Sequence, residues 1–240
     1  RAMSIGGYKT RFMLDLVKID LAWGAVAGFI VGIWDIINDS FAGVIIDKTR
    51  TRWGKFKPYL MAFAIPGTIL AIFGWMTPYF FNQNPRNVKK LAYHMVTSMS
   101  MDLSDTFRGF ADTGFVASMS PNPKDRVMLF TAAELISALW ESFPSIIMGL
   151  LIDLINHNMI GMSMQAAYLS MGSFCAIFGG VAAFVLTLVS KERISQNVET
   201  TSVLDGFRAL FRNRPLMVIA LNDIAKIFTL NTGEENYFTD

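Results

Sequence analysis

Five stretches of this chain are each long and apolar enough to cross a bilayer, and that feature removes most of the folds open to 240 residues. A hydrocarbon core of about 30 Å takes roughly 20 apolar residues of helix. The stretches are Leu21–Ile46, Pro58–Phe81, Leu91–Ser120, Val127–Ile155 and Met164–Ser190, the third much more polar than the rest. A sixth apolar run, Leu216–Leu230, is too short alone and ends in the polar string NTGEENYFTD. Joined by short loops, such stretches leave no polar face for water, so they are not the core helices of a soluble protein. The composition agrees: 52% of residues are apolar and 17% charged, against about 25% charged in ordinary soluble domains. The expected fold class is an all-α membrane protein.

Cytoplasmic loops carry an excess of Lys and Arg. Lys48, Arg50, Arg52, Lys55 and Lys57 follow the first span; Lys124 and Arg126 follow the third; Lys191, Arg193, Arg208, Arg212 and Arg214 follow the fifth. Only Arg86, Lys89 and Lys90 fall on the other side, and nothing in the sequence explains them. This orients a multi-pass chain in the cell membrane. Residues 21–190 then form one bundle, and 191–215 a cytoplasmic linker in which Val203–Phe211 has the spacing of a short amphipathic helix.

Several classes of function are excluded. With 21 basic against 19 acidic residues, no nucleic-acid partner is implied. One cysteine, Cys175, allows no internal disulfide. Two separate histidines, His94 and His157, make a poor metal site and are expected to be solvated near span ends. The only Gly-Lys, Gly54–Lys55, is followed by Phe56, so there is no nucleotide-hydrolysing phosphate loop. Neither a nucleophile elbow nor a zinc-protease motif is present, so no enzyme and no cofactor is expected. A chain that opens on Arg1 is expected to be processed or truncated, and no signal peptide opens it.

A charge at bilayer depth costs at least about 2.5–3.5 kcal/mol and needs a reason. Asp35 and Asp39 lie one turn apart in the first span, with Asn38 beside them and Gly24, Gly28, Gly32 and Gly43 along the same stripe. Glycines let another helix approach closely, so the stripe is expected to face a helix interface or cavity. Two such carboxylates repel unless one keeps a proton or a cation sits between them. A coupling-ion site therefore explains them; so does neutralisation by a basic neighbour. Asp102, Asp105, Arg108 and Asp112 share one face of the third span, with Thr106 nearby. They make either a substrate-facing set or an internal salt-bridge ladder. Glu134, Trp140 and Glu141 lie on the fourth span, where Pro144 removes a backbone hydrogen bond and introduces a kink. Simple packing is the preferred reading of Trp140 over stacking on a sugar.

The stretch Ile33–Tyr59, IWDIINDSFAGVIIDKTRTRWGKFKPY, resembles the glycoside–pentoside–hexuronide:cation symporters of the major facilitator superfamily. In that family a helix ends in a WDxxNDPxxG-like pattern followed by D-x-x-x-x-R-W-G-K-x-[KR]-P; Ser40 stands here in place of the Pro. The resemblance implies a helical bundle with five to six of an expected twelve transmembrane helices. The five spans would be family helices two to six, and residues 216–240 the start of the second half. It implies a cation site of Asp35, Asn38, Asp39 and Thr106, and a cytoplasmic gate motif of Gly43, Asp47, Arg50 and Arg52. The family's sugar-binding acid on the fourth helix aligns with Gly109, and its basic residue on the fifth with Glu134. Asp105, Arg108, Asp112, Glu134, Trp140 and Glu141 are then the substrate candidates, with Arg108 and Glu134 as a pair of reversed sign. Residues 1–20 would be a tail and the remnant of a missing first helix, with Asp15 matching an acid at the outer end.

The function so implied is a sodium- or proton-coupled sugar symporter, represented by its amino-terminal half. Its partners would be a sugar or glycoside, membrane lipid and the missing carboxy-terminal half. The coupling ion is the only ion expected. A sensor or regulatory protein on the same fold is the alternative, favoured by the absent acid at Gly109.

Overall fold

The computed structural model describes residues 5–190 together with Glu192 and Val218, the side chains of Ser40 and Glu141 excepted. The expected linker helix Val203–Phe211 and the run Leu216–Leu230 lie outside the described residues, apart from Val218. Five long helices carry the fold: α1 (Leu21–Lys48), α2 (Lys57–Trp75), α3 (Val88–Ser118), α4 (Pro123–Asn156) and α5 (Met164–Val189). Among the described residues there is no strand, only an isolated bridge between Thr51 and Gly54. Four of the helices, α1, α2, α4 and α5, are apolar and long enough to cross a membrane. The fifth, α3, has 31 residues but is the polar one.

Local chemistry sets where each helix begins. The Asp20 carboxylate accepts from the N–H groups of Ala22 and Trp23, Asn87 from Lys89 and Lys90, Asn122 from Lys124, and Ser163 from Ala166. Each satisfies donors that a helix N-terminus leaves unpaired. Pro58 and Pro123 occupy first-turn positions, where a missing N–H costs nothing. The expected span Pro58–Phe81 is divided at Met76, after which Thr77–Phe80 forms a separate turn. Pro78 has no N–H for the carbonyl of Gly74; the Thr77 hydroxyl takes that carbonyl instead, at 2.8 Å. By contrast α4 continues helically through Pro144.

α2 lies between α3 and α5, α1 packs on α3, and α4 packs on α5. The close approaches use glycines, but not the predicted ones. A methyl group at Gly172 would collide with the Trp75 ring, one at Gly114 with the Phe56 ring, and one at Gly180 with Thr68. Along α1, Gly28, Gly32 and Gly43 have open space, and Gly24 meets only Ile19. The glycine stripe of α1 is therefore not a packing seam among the described residues. The seam is the overlapping row Asn38, Ala42 and Ile46, all buried. It meets α3 from Trp34 onward, where the indole N–H donates to the Met99 carbonyl at 3.1 Å.

Two apolar cores result. At the end bearing the α1–α2 loop, Ala42, Ile46, Phe56, Leu60, Phe107, Ala111 and Phe115 cluster, with Phe63 and Phe107 stacked at 4.9 Å. At the opposite end, Met148 and Ile152 of α4 join Tyr168, Met171 and Cys175 of α5. Residues of the expected tail complete this core. They form short helical turns, Gly6–Tyr8, Lys9–Arg11 and Phe12–Val17, and bury Ile5, Phe12 and Val17. Phe12 lies edge-on to Trp75 at 4.8 Å.

Two of the three basic residues left unexplained at this end, Lys90 and Arg86, now have reasons. Lys90 is 1% exposed, and its ammonium donates to the carbonyls of Val17 (2.6 Å), Lys18 (3.1 Å) and Asn82 (3.4 Å). Arg86 pairs with Asp20 at 3.7 Å. The remaining helix faces are apolar and open; Phe29, Ile36 and Leu139 are about 70% exposed. Patches of this extent call for lipid or another protein surface.

Candidate ion and substrate site

The α1–α3 seam brings one polar cluster into the apolar bundle. α1 supplies Asp35, Asn38 and Asp39 within four residues, and α3 supplies Asp102 and Thr106 one turn apart. Asn38 is central and 3% exposed. Its amide N–H groups donate to Asp102 Oδ2 at 3.3 Å and to Thr106 Oγ1 at 2.9 Å. The Thr106 hydroxyl donates in turn to Asp39 Oδ1 at 3.1 Å. Asp35 lies close enough to Asp102 for the two charges to interact across the seam. The carboxylates of Asp35 and Asp39 lie on an exposed face of α1. No basic side chain pairs with any of these three acids among the described residues.

One atom of the cluster is unsatisfied. Asn38 Oδ1 is buried and has no hydrogen-bond partner among the described residues. Buried polar atoms are nearly always paired, and an orphaned acceptor costs about 1–3 kcal/mol. The cluster thus joins an amide oxygen, a hydroxyl and carboxylates, which are the hard oxygen donors suited to small alkali or alkaline-earth cations. No three His, Cys, Asp or Glu side chains among the described residues converge as a metal cluster. The donor set fits a weakly held ion better than a resident structural metal.

The four residues expected to form a cation site are therefore brought together. Asp102, which the sequence reading left in the ladder, joins them; only the register of α1 against α3 reveals it. The substrate candidates are not assembled. Arg108 pairs with Asp105 on its own helix at 3.7 Å, and its guanidinium lies across Gly67 of α2. The expected pair of Arg108 with Glu134 is not formed, because Arg108 turns toward α2 while Glu134 lies exposed on α4. Asp112 is exposed. Trp140 packs on Phe178 of α5, with ring centroids 5.6 Å apart. The Glu141 side chain is outside the described residues. Gly109 has open space around it. Of the histidines, His157 is exposed and pairs with Asp153 at 3.3 Å, whereas His94 is half-buried rather than solvated.

The expected gate motif lies at the basic end. Gly43 and Asp47 belong to α1 itself; the chain turns later, at Thr51–Gly54, where Gly54 N–H donates to the Thr51 carbonyl at 3.1 Å. Asp47 pairs with Lys55 at 2.7 Å, Arg52 lies over the Trp53 ring at 5.2 Å, and Arg50 is exposed. What holds the loop is a residue the sequence reading did not single out. The Glu192 carboxylate, just past α5, accepts from the backbone N–H groups of Lys55 (2.8 Å), Phe56 (2.8 Å) and Lys57 (2.9 Å). Lys57 Nζ reaches back to the carbonyl of Ser190 at 3.1 Å. Gly54 has φ +108°, and a side chain there would collide with Glu192. Both the backbone conformation and the close carboxylate demand glycine.

Comparison with known proteins accords with this architecture. The family model of MFS/sugar transport proteins matches residues 3–237. The chain is 26% identical to an uncharacterized symporter of Bacillus subtilis over 95% of its own length and 48% of that protein. It is 25% identical to the isoprimeverose transporter of Lactiplantibacillus pentosus, over 90% of this chain and 44% of that one. It is 23% identical to a glucuronide carrier protein homolog of Escherichia coli, over 91% and 46% respectively. The chain spans about half the length of the curated relatives it matches.

Proposed function

The chain belongs to the MFS/sugar transport protein family, and from that premise we propose that it is the amino-terminal part of a cation-coupled sugar symporter. It is a membrane protein whose sequence matches about half the length of a symporter and two carriers or transporters. The substrate class is a sugar or glycoside, as the isoprimeverose and glucuronide names of two relatives suggest. The coupling ion, sodium or a proton, is taken up by the cluster of Asp35, Asn38, Asp39 and Thr106. The observation that carries this reading is Asn38 Oδ1, buried and unpartnered among the described residues, beside acids that have no basic partner among them. A permanently neutralised structural cluster would have no such vacancy in its bonding.

In the mechanism, charge decides the sequence of events. Carboxylates held in an apolar bundle attract a cation and are costly without one. Binding the ion gathers α1 and α3 around Asn38 and orders the seam between them. The hydroxyl-binding candidates on α3 and α4, Asp105, Arg108, Asp112, Glu134 and Trp140, are not assembled in this structure and come together only as a sugar binds. Gly43, Asp47, Arg50 and Arg52 act at the cytoplasmic gate while the two halves rock. Ion and sugar then favour each other's binding to the same extent.

That reciprocity is the test. The intact protein is screened against glycosides and glucuronides by thermal unfolding, with sodium chloride or choline chloride, at two pH values. A ligand of the folded form raises the midpoint by mass action. At least one sugar is expected to bind more tightly with the coupling ion, and the ion more tightly with that sugar. Sugar binding that is indifferent to sodium and to pH would remove the coupling from the reading.

A further inference from the structure

Asp102 lies one turn before Thr106 on α3, so both reach the same Asn38 amide. Resting on the reading that this cluster takes up the coupling cation, we propose that Asp102 is a positioning residue of the site: by accepting one amide N–H of Asn38 it holds Asn38 Oδ1 as the oxygen offered to the cation.

The argument is one of donors and acceptors. An asparagine amide has two N–H donors on one side and a carbonyl acceptor on the other. Which way it lies is decided by its partners. The Thr106 proton is committed to Asp39 Oδ1 at 3.1 Å, so toward Asn38 the hydroxyl oxygen can only accept. An ionised Asp102 oxygen likewise only accepts. Turned over, the amide would set Oδ1 against both acceptors. Both neighbours therefore require the nitrogen side, and together they use both of its protons, at 2.9 and 3.3 Å. The oxygen is left buried without a partner. A site whose neutral ligand is so fixed is preorganised; one whose amide is free to turn over offers a cation the wrong end half of the time.

Equilibrium binding of radioactive sodium to the intact protein, with choline replacing sodium, tests this. Asp102→Asn keeps the volume but can donate as well as accept, which releases the amide. The half-saturating sodium concentration is expected to rise by about tenfold or more, in the range for partners that orient metal ligands. The number of sodium ions bound at saturation and the unfolding midpoint in choline stay as in the parent. Asp102→Glu, still acceptor-only toward Asn38, binds sodium more nearly like the parent. A merely structural Asp102 would lower the midpoint in choline and leave half-saturation alone, and that result overturns the inference. Should Asp102→Asn fail to fold, Asp102→Ser, smaller and able to donate, carries the same expectation. If Asp102→Asn titrates like the parent while Asp35→Asn with Asp39→Asn abolishes binding, the inference fails and the ion site stands. If the parent itself binds no sodium, the inference fails outright, and uptake by the Asp35/Asp39 variant decides whether the ion site survives.

Discussion

At the scale of single residues, the site is an exercise in hydrogen-bond bookkeeping inside an apolar seam. Thr106 has a double duty, accepting from Asn38 and donating to Asp39. Replacing it with Val keeps the shape and removes both bonds. Thr106→Val is expected to weaken the response to the coupling ion about tenfold, as loss of a ligand-orienting partner does, whereas Thr106→Ser retains it. Titrating ion-dependent sugar binding in both variants checks this; equal responses would deny the hydroxyl a role. Asp35, Asn38 and Asp39 are legible from sequence because polar atoms stand out within an apolar stretch. Asp102 is not, because its face on α3 is shared with three other charges and only the register of two separate helices singles it out. Lys90 is hidden for a different reason. A lysine near a span end reads as reaching for water, yet this one is turned inward by three backbone carbonyls.

At the scale of helices, the spans are legible to within a few residues, since length and apolar character follow from the bilayer itself. The glycines are not. Along α1 the GxxxG-like stripe is open, while Gly172, Gly114 and Gly180 stand at real close approaches. A small residue permits contact but does not create it; the neighbour must bring a side chain that needs the space. At Gly172 that side chain is Trp75, itself held beside Phe12 and Tyr168. Gly172→Ala is therefore expected to destabilise the bundle by about 1–3 kcal/mol through overpacking, and Gly28→Ala to leave it unchanged. Thermal unfolding in one detergent separates the two; similar midpoints would contradict the observed packing.

At the scale of the molecule, two ends of the bundle are tied differently. Each has an apolar core, and at one end that core takes in residues of the expected tail. The other adds polar bonds to its core, chiefly the Glu192 carboxylate on three backbone N–H groups at the start of α2. Charge-assisted bonds of this kind outweigh the exposed Asp47–Lys55 pair, since exposed ion pairs contribute only about 0–1 kcal/mol. Glu192→Ala leaves those N–H groups unpaired and is expected to cost about 1–3 kcal/mol of stability, more than Asp47→Ala does; the ranking of unfolding midpoints tests it. The central claim, that the acids of α1 exist to carry an ion in with a solute, is tested most directly by uptake. Labelled sugar transport by the intact protein is measured under an imposed sodium or proton gradient, with and without Asp35→Asn and Asp39→Asn together. The account predicts that gradient-driven accumulation is lost in the double variant while the protein remains folded in the membrane. Accumulation that follows the gradient unchanged would contradict it.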